Sequence, residues 1–126
     1  MTETIVVVDD EPELCSFIQD LLEMEGYRVI AASRPDKVEA AIGDAEPDLF
    51  LIDVMLPGMS GIELGQQLQN SGYAEVPMIA MSASKLMSHM ASTSGVFNEA
   101  MVKPFDVGDL LECIEKHLRQ TVNNHR

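Results

Sequence analysis

Basic residues are scarce in this sequence. Eight lysines and arginines stand against 21 aspartates and glutamates, for a formal net charge of −13. Binding to nucleic acid needs a basic face that displaces counterions from phosphates, so that balance argues against direct nucleic-acid contact. It argues equally against an anionic membrane surface. No stretch approaches the roughly 18 consecutive apolar residues of a membrane span, and the start "MTETIVVVDD" has no basic region of the kind that opens a signal peptide. Two cysteines, Cys15 and Cys113, are too few for a disulfide framework. Each falls in a helical pattern, where a small buried side chain is expected. A reducing, cytoplasmic setting fits these absences.

What is present is a core. Of 126 residues, 46% are apolar, enough for one compact domain and too many for a disordered chain. Short β-branched or apolar runs alternate with amphipathic ones. "TIVVVD" (4–9) reads as a buried parallel strand. "PELCSFIQDLLEMEG" follows, with Leu14, Phe17, Ile18, Leu21 and Leu22 spaced for one helix face. Pro12 suits its first turn and Gly26 its stop. "YRVIAA" (27–32) is a second strand. "RPDKVEAAIGDA" is a short helix, with Val38, Ala41 and Ile42 expected to face inward. Strand three is "DLFLIDV" (48–54), and a helix over 62–72 ends at Gly72. Strand four, "PMIAMSA" (77–83), opens at Pro77, and strand five, "AMVK" (100–103), closes at Pro104. The last helix has Asp106 as its expected N-cap and Val107, Leu110, Leu111, Ile114 and Leu118 as its stripe. Between them, "SKLMSHMASTSGVF" (84–97) places Leu86, Met87 and Met90 at helical spacing and then turns to Ser, Thr and Gly, which predicts a short helix. The domain is expected over 1–120, with 121–126 a polar tail.

Five strands alternating with five helices imply an α/β fold, a doubly wound parallel sheet covered on both faces. Ligands of such sheets bind beyond the C-terminal ends of the strands. Strand one ends at Asp9 and Asp10, strand three near Asp53, strand four at Ser82 and strand five at Lys103. Asp53 interrupts the apolar run "DLFLIDVMLPGMSG", and a buried carboxylate is costly unless it is paired. At the mouth of the sheet it would have two other carboxylates and an ammonium near it.

Close carboxylates repel one another, and a hard divalent cation such as Mg²⁺ relieves that repulsion. One of them can then act as a nucleophile toward phosphorus. Phosphoryl transfer asks for positioning and positive charge on the phosphoryl oxygens, which Lys103 can supply. Ser82 offers a hydroxyl, and the small Ala83 leaves room. Each piece alone has a plainer reading. Acids after a strand complement a helix dipole, a strand-end Asp forms turns, "KPF" terminates a strand, and Ser82 could cap a helix. The signal is their coincidence at the ends of four strands.

The segments "VVVDDE", "LIDVMLPGMSG", "IAMSA" and "VKPF" occur in that order. In them the chain resembles a response-regulator receiver domain of two-component signalling, over residues 4 to about 119. The resemblance implies a flavodoxin-like (βα)5 sheet of strand order 2-1-3-4-5. It implies that Asp53 accepts a phosphoryl group from a phosphohistidine on a sensor histidine kinase or a histidine phosphotransfer protein. Asp10, Asp53 and the backbone carbonyl of Met55 would bind Mg²⁺, with Asp9 helping through water. Ser82 and Lys103 would contact phosphoryl oxygens, Pro57 and Gly61 would shape the loop after strand three, and the Lys103–Pro104 bond would be cis. The response would be read by an output domain or effector on the face of strand four, helix four and strand five.

Three features depart from the family pattern. Ala100 stands where an aromatic residue usually precedes the "KP" lysine, so the usual inward-turning ring is missing. Ser82 and Lys103 are one residue closer than is common, which points to an atypical fourth helix, either mobile or well packed. Met55 and Ser84 occupy the positions that tune loss of the phosphoryl group, and neither orients water well, so slow hydrolysis is expected. Five methionines (78, 81, 87, 90, 101) lie in or beside this region, as core filling or as an adaptable partner surface. His89, His117 and His125 lack metal-ligand spacing and are expected at the surface or in the tail.

Two alternatives remain. A pseudo-receiver would bind partners without a phosphoryl switch; Ala100 keeps that reading open, and the intact Asp9, Asp10, Asp53, Ser82 and Lys103 weigh against it. A dinucleotide enzyme of similar architecture would want a glycine-rich turn after strand one, where this sequence has "DDEPEL". No DNA-binding module or effector enzyme fits in the remaining residues, so the chain either acts alone or belongs to a longer regulator or hybrid kinase.

Overall fold

The β-branched run at the start of the chain forms β1 (Thr4–Val8), buried throughout because helices cover both of its faces. The computed structural model describes residues 2–124, with side chains through residue 119. The elements that follow are α1 (Pro12–Met24), β2 (Arg28–Ala32), α2 (Val38–Ile42), β3 (Leu49–Asp53), α3 (Gly61–Leu68), β4 (Met78–Ser82), α4 (Lys85–Thr93), β5 (Glu99–Val102) and α5 (Val107–Asn124). The five strands are parallel in the order β2-β1-β3-β4-β5, as the resemblance implied.

Alternation along each strand sorts the core into two layers. Val6, Val8, Phe50 and Ile52 face α2, α3 and α4. Ile5, Val7, Leu49 and Leu51 face α1 and α5, where Ile18, Leu22 and Ile114 meet them. Cys15 and Cys113 are buried free thiols in this second layer. None of the described helices is long and apolar enough to cross a membrane.

Several expectations about helix faces are corrected. Cys15, Ile18 and Leu22 are the buried residues of α1, and Phe17 is 54% exposed. At about 100° per residue, Phe17 lies a quarter turn from Ile18, at the rim of the stripe. Ala41 is exposed and only Val38 and Ile42 of α2 are buried, because a helix of five residues presents barely one turn to the sheet. Val107 is exposed at the first turn of α5. The segment 84–97 does form a helix, capped by Ser84, whose Oγ accepts from the Met87 N–H at 3.2 Å. Its buried face is Ser88 and Ala91, while Leu86 and Met90 point to solvent. Small residues face inward there because α4 lies against both β4 and β5. The helix α5 continues to Asn124. His125 lies outside the described residues.

One glycine is fixed by close approach. A Cβ on Gly61 would sit 2.3 Å from the Asp53 carbonyl oxygen and 2.7 Å from Val54 Cα. Its N–H donates to the Val54 carbonyl at 2.7 Å, so the start of α3 folds directly onto the end of β3. That contact pins the loop that follows Asp53.

Candidate functional site

The C-terminal ends of the parallel strands gather the acids. Asp9, the residue after β1, is fully buried, and Asp53, the last residue of β3, is 4% exposed. Asp10 is exposed beside them. One carboxylate oxygen from each lies within 4.8 Å of the others.

Lys103 enters from the end of β5 and spans the gap. Its Nζ donates to Asp9 Oδ2 at 3.0 Å and to Asp53 Oδ2 at 2.9 Å. Glu11 reaches the same ammonium at 3.5 Å, a contact the sequence reading missed although "DDE" stands in plain view. The remaining oxygens of both buried acids accept backbone N–H groups. Asp9 Oδ1 takes Glu11 N–H at 2.8 Å, and Asp53 Oδ1 takes Met55 N–H at 2.9 Å. Both are tight turns that fold the loop back on its own side chain.

Burial pushes the Asp9 carboxyl above its ordinary range, and the hydrogen bonds from Glu11 and Lys103 only partly offset it. Burial also works against the Lys103 ammonium, but the Asp53 and Asp9 carboxylates outweigh it, and the lysine is raised. Its contribution to stability is therefore complete below the ordinary lysine value of 10.5 and lost only as pH rises through the raised one. Lys103 is a fixed cation at every physiological pH.

Ser82 is fully buried at the end of β4, its Oγ accepting from Ser84 N–H at 3.1 Å, which leaves the hydroxyl proton to donate. Ala83 next to it is exposed and bulk-free. The Lys103–Pro104 bond is cis, and Lys103 N–H donates to the Ser82 carbonyl at 2.8 Å, tying the two strand ends together. Met55 is 56% exposed and, with Asp10, lines a cavity of 510 Å³ bordered by Pro57 and Met87.

The structure thus brings together all the residues selected from sequence: Asp9, Asp10, Asp53, Ser82, Lys103 and Met55. Asp9, Asp53 and Glu11 engage one ammonium, with Asp10 beside them, which leaves a residual negative charge. Hard oxygen donors at an open rim suit a hard divalent cation that keeps part of its water, as Mg²⁺ does.

Residues 5–115 match the family model of the response regulator receiver domain. The chain belongs to that family. Among curated relatives, the phosphate regulon transcriptional regulatory protein PhoB of Pseudomonas aeruginosa is 35% identical over 121 residues, covering 94% of this chain and 53% of PhoB. This receiver domain spans about half the length of the curated relatives it matches. A CheY-like receiver domain protein of Methanospirillum hungatei superposes with a TM-score of 0.88 at 27% identity, covering 98% of this chain and 99% of that one. The response regulator TrrA of Thermotoga maritima, solved in complex with Mg(2+)-BeF, gives 0.80 at 27% identity and covers 92% and 99%.

Among the histidines, His89 is exposed as expected. His117 is not. It is 6% exposed, and its Nε2 lies 2.9 Å from Glu99 Oε1. It sits one turn beyond Cys113 on the buried face of α5, and that spacing was the available signal.

Proposed function

We propose that this receiver domain takes a phosphoryl group onto Asp53 from the phosphohistidine of a sensor histidine kinase or a phosphotransfer protein, with Mg²⁺ as cofactor. It acts as a signalling switch and not as a metabolic enzyme. The observation that carries this reading is the Lys103 ammonium held between Asp9 and Asp53, with Asp10 completing an acidic rim.

An Asp53 carboxylate oxygen attacks phosphorus, the P–N bond of the phosphohistidine breaks, and the imidazole leaves with the electron pair. Asp10, Asp53 and the Met55 carbonyl would hold the cation, with Asp9 acting through water; when bound, it offsets charge on the phosphoryl oxygens. Lys103 shifts from the Asp53 carboxylate toward a phosphoryl oxygen, and the Ser82 hydroxyl donates to another. Those two movements draw on the ends of β5 and β4, so the modification biases the face formed by β4, α4 and β5 between two arrangements. That face then changes affinity for an output domain or effector. PhoB is by name a transcriptional regulator of about twice this length. In a protein of that plan, contact with DNA would belong to the output domain, because this domain's charge of −13 repels phosphates.

The phosphoryl group should persist. Met55 is apolar and exposed, and the Ser84 hydroxyl oxygen accepts the cap bond of α4. Neither orients an attacking water. With a radiolabelled donor, the label should be released by hydroxylamine, as an acyl phosphate is, and should decay over minutes or longer once the donor is removed. A label stable to hydroxylamine would contradict the aspartyl phosphate. Decay within seconds would contradict only the role given to Met55 and Ser84.

A further inference from the structure

The second cluster of metal-binding side chains lies on the far edge of the sheet, apart from the acidic rim. Glu99 opens β5; Cys113 and His117 sit one turn apart on α5 and share a face. A carboxylate oxygen, Sγ and an imidazole nitrogen lie within 4.8 Å of one another. Cys113 is 5% and His117 6% exposed, so both are anchored, while Glu99 is half-buried at the opening.

We propose that Glu99, Cys113 and His117 bind a divalent transition-metal ion of the Zn²⁺ type, which would clamp α5 onto β5. The donor set separates this site from the acidic rim. Thiolate, imidazole and carboxylate together select Zn²⁺ and its neighbours, whereas Mg²⁺ prefers oxygen alone. Metal–ligand bonds of about 2.0–2.3 Å call for donors roughly 3.3–3.8 Å apart in a tetrahedron, so a small inward movement suffices. Three protein ligands leave a fourth position for water or for a donor from outside.

The surroundings suit a cation. A groove of 810 Å³ leads to the cluster, and Asp106, Asp109 and Glu112 line it with Glu99 against a single cation, Lys116. Lys116 Nζ and His117 Nε2 both engage Glu99 Oε1, at 2.7 and 2.9 Å. An incoming ion would take the place of the Lys116 ammonium, which is exposed and free to swing into water. On binding, the thiol gives its proton to solvent, and the proton that His117 Nε2 shares with Glu99 Oε1 moves to Nδ1 where Nε2 takes the ion. Burial and the Glu99 charge hold the free thiol at about 12, so deprotonation depends on the ion itself.

Co²⁺ reports thiolate ligation through a charge-transfer band, and excess Mg²⁺ keeps the acidic rim out of the measurement. Titrated with Co²⁺ under those conditions, the protein should develop the band to one equivalent, and Zn²⁺ should displace it. Cys113→Ser should abolish the band and Cys15→Ser should leave it. Glu99→Gln, which keeps the side chain's size and a hydrogen-bonding oxygen, should weaken binding at least about tenfold, as loss of even an outer-shell partner does. No band in the wild-type protein would overturn the site, as would unchanged affinity in Glu99→Gln.

Discussion

Lys103→Met should slow phosphoryl acceptance by about 10²–10³-fold, the usual cost of removing one preorganised donor from a transition state. The same variant should lose stability. Two buried carboxylates, Asp9 and Asp53, share that ammonium at 3.0 and 2.9 Å. Breaking a buried pair by deleting one partner typically costs about 3–5 kcal/mol, because the other charge is left uncompensated. The penalty should shrink at acid pH, where the carboxyls protonate and no longer need the lysine. Urea unfolding of wild-type and variant protein at neutral and acid pH measures the difference. An unchanged acceptance rate, in a variant that circular dichroism shows to be folded, would remove Lys103 from the reaction.

Asp9→Asn should produce two effects of opposite sign. Burial raises the Asp9 carboxyl, so its ionised form is held at a cost in the folded protein. Stability from such a group is complete below its unfolded pKa and is lost as pH rises through the folded one. Asparagine removes that loss and can still accept one of the two hydrogen bonds, from Glu11 N–H or Lys103. In metal-free buffer near neutral pH the variant should therefore melt higher than wild type, with the gap closing toward acid pH. On the proposed role of Asp9, which supports Mg²⁺ through water, affinity for the ion should fall by about 10–100-fold. A variant that melts lower at neutral pH would show that the lost hydrogen bond outweighs the relieved charge.

The strands and the site were legible in the sequence for one reason. In a parallel sheet the chemistry gathers where strands end, and Asp9, Asp53, Ser82 and Lys103 each mark such an end. Counting alternating segments was enough to bring them together. Helix faces were less legible, because spacing identifies a stripe but not which side of it meets the sheet. In α4 the apolar pair Leu86 and Met90 points outward, while Ser88 and Ala91 are buried, since closeness to β4 and β5 selects for small size over hydrophobicity. Phe17 fits the α1 pattern yet lies at its rim. His117 carries no apolar signal and reads as a surface or tail residue, but Glu99 on β5 gives it a polar partner inside. A contact between a strand residue and a helix residue 18 positions later cannot be read from either segment alone. Residues 121–124, with Val122 their one apolar member, extend α5 without an apolar pattern to announce it.

Phosphoryl acceptance by Asp53 is tested most directly by intact mass after incubation with acetyl phosphate, with and without Mg²⁺, on the wild-type chain and on Asp53→Asn. The expected result is one added phosphoryl group in the wild-type protein, present only with Mg²⁺ and absent from the variant. An adduct that survives Asp53→Asn, or that forms equally well without the metal, would contradict it.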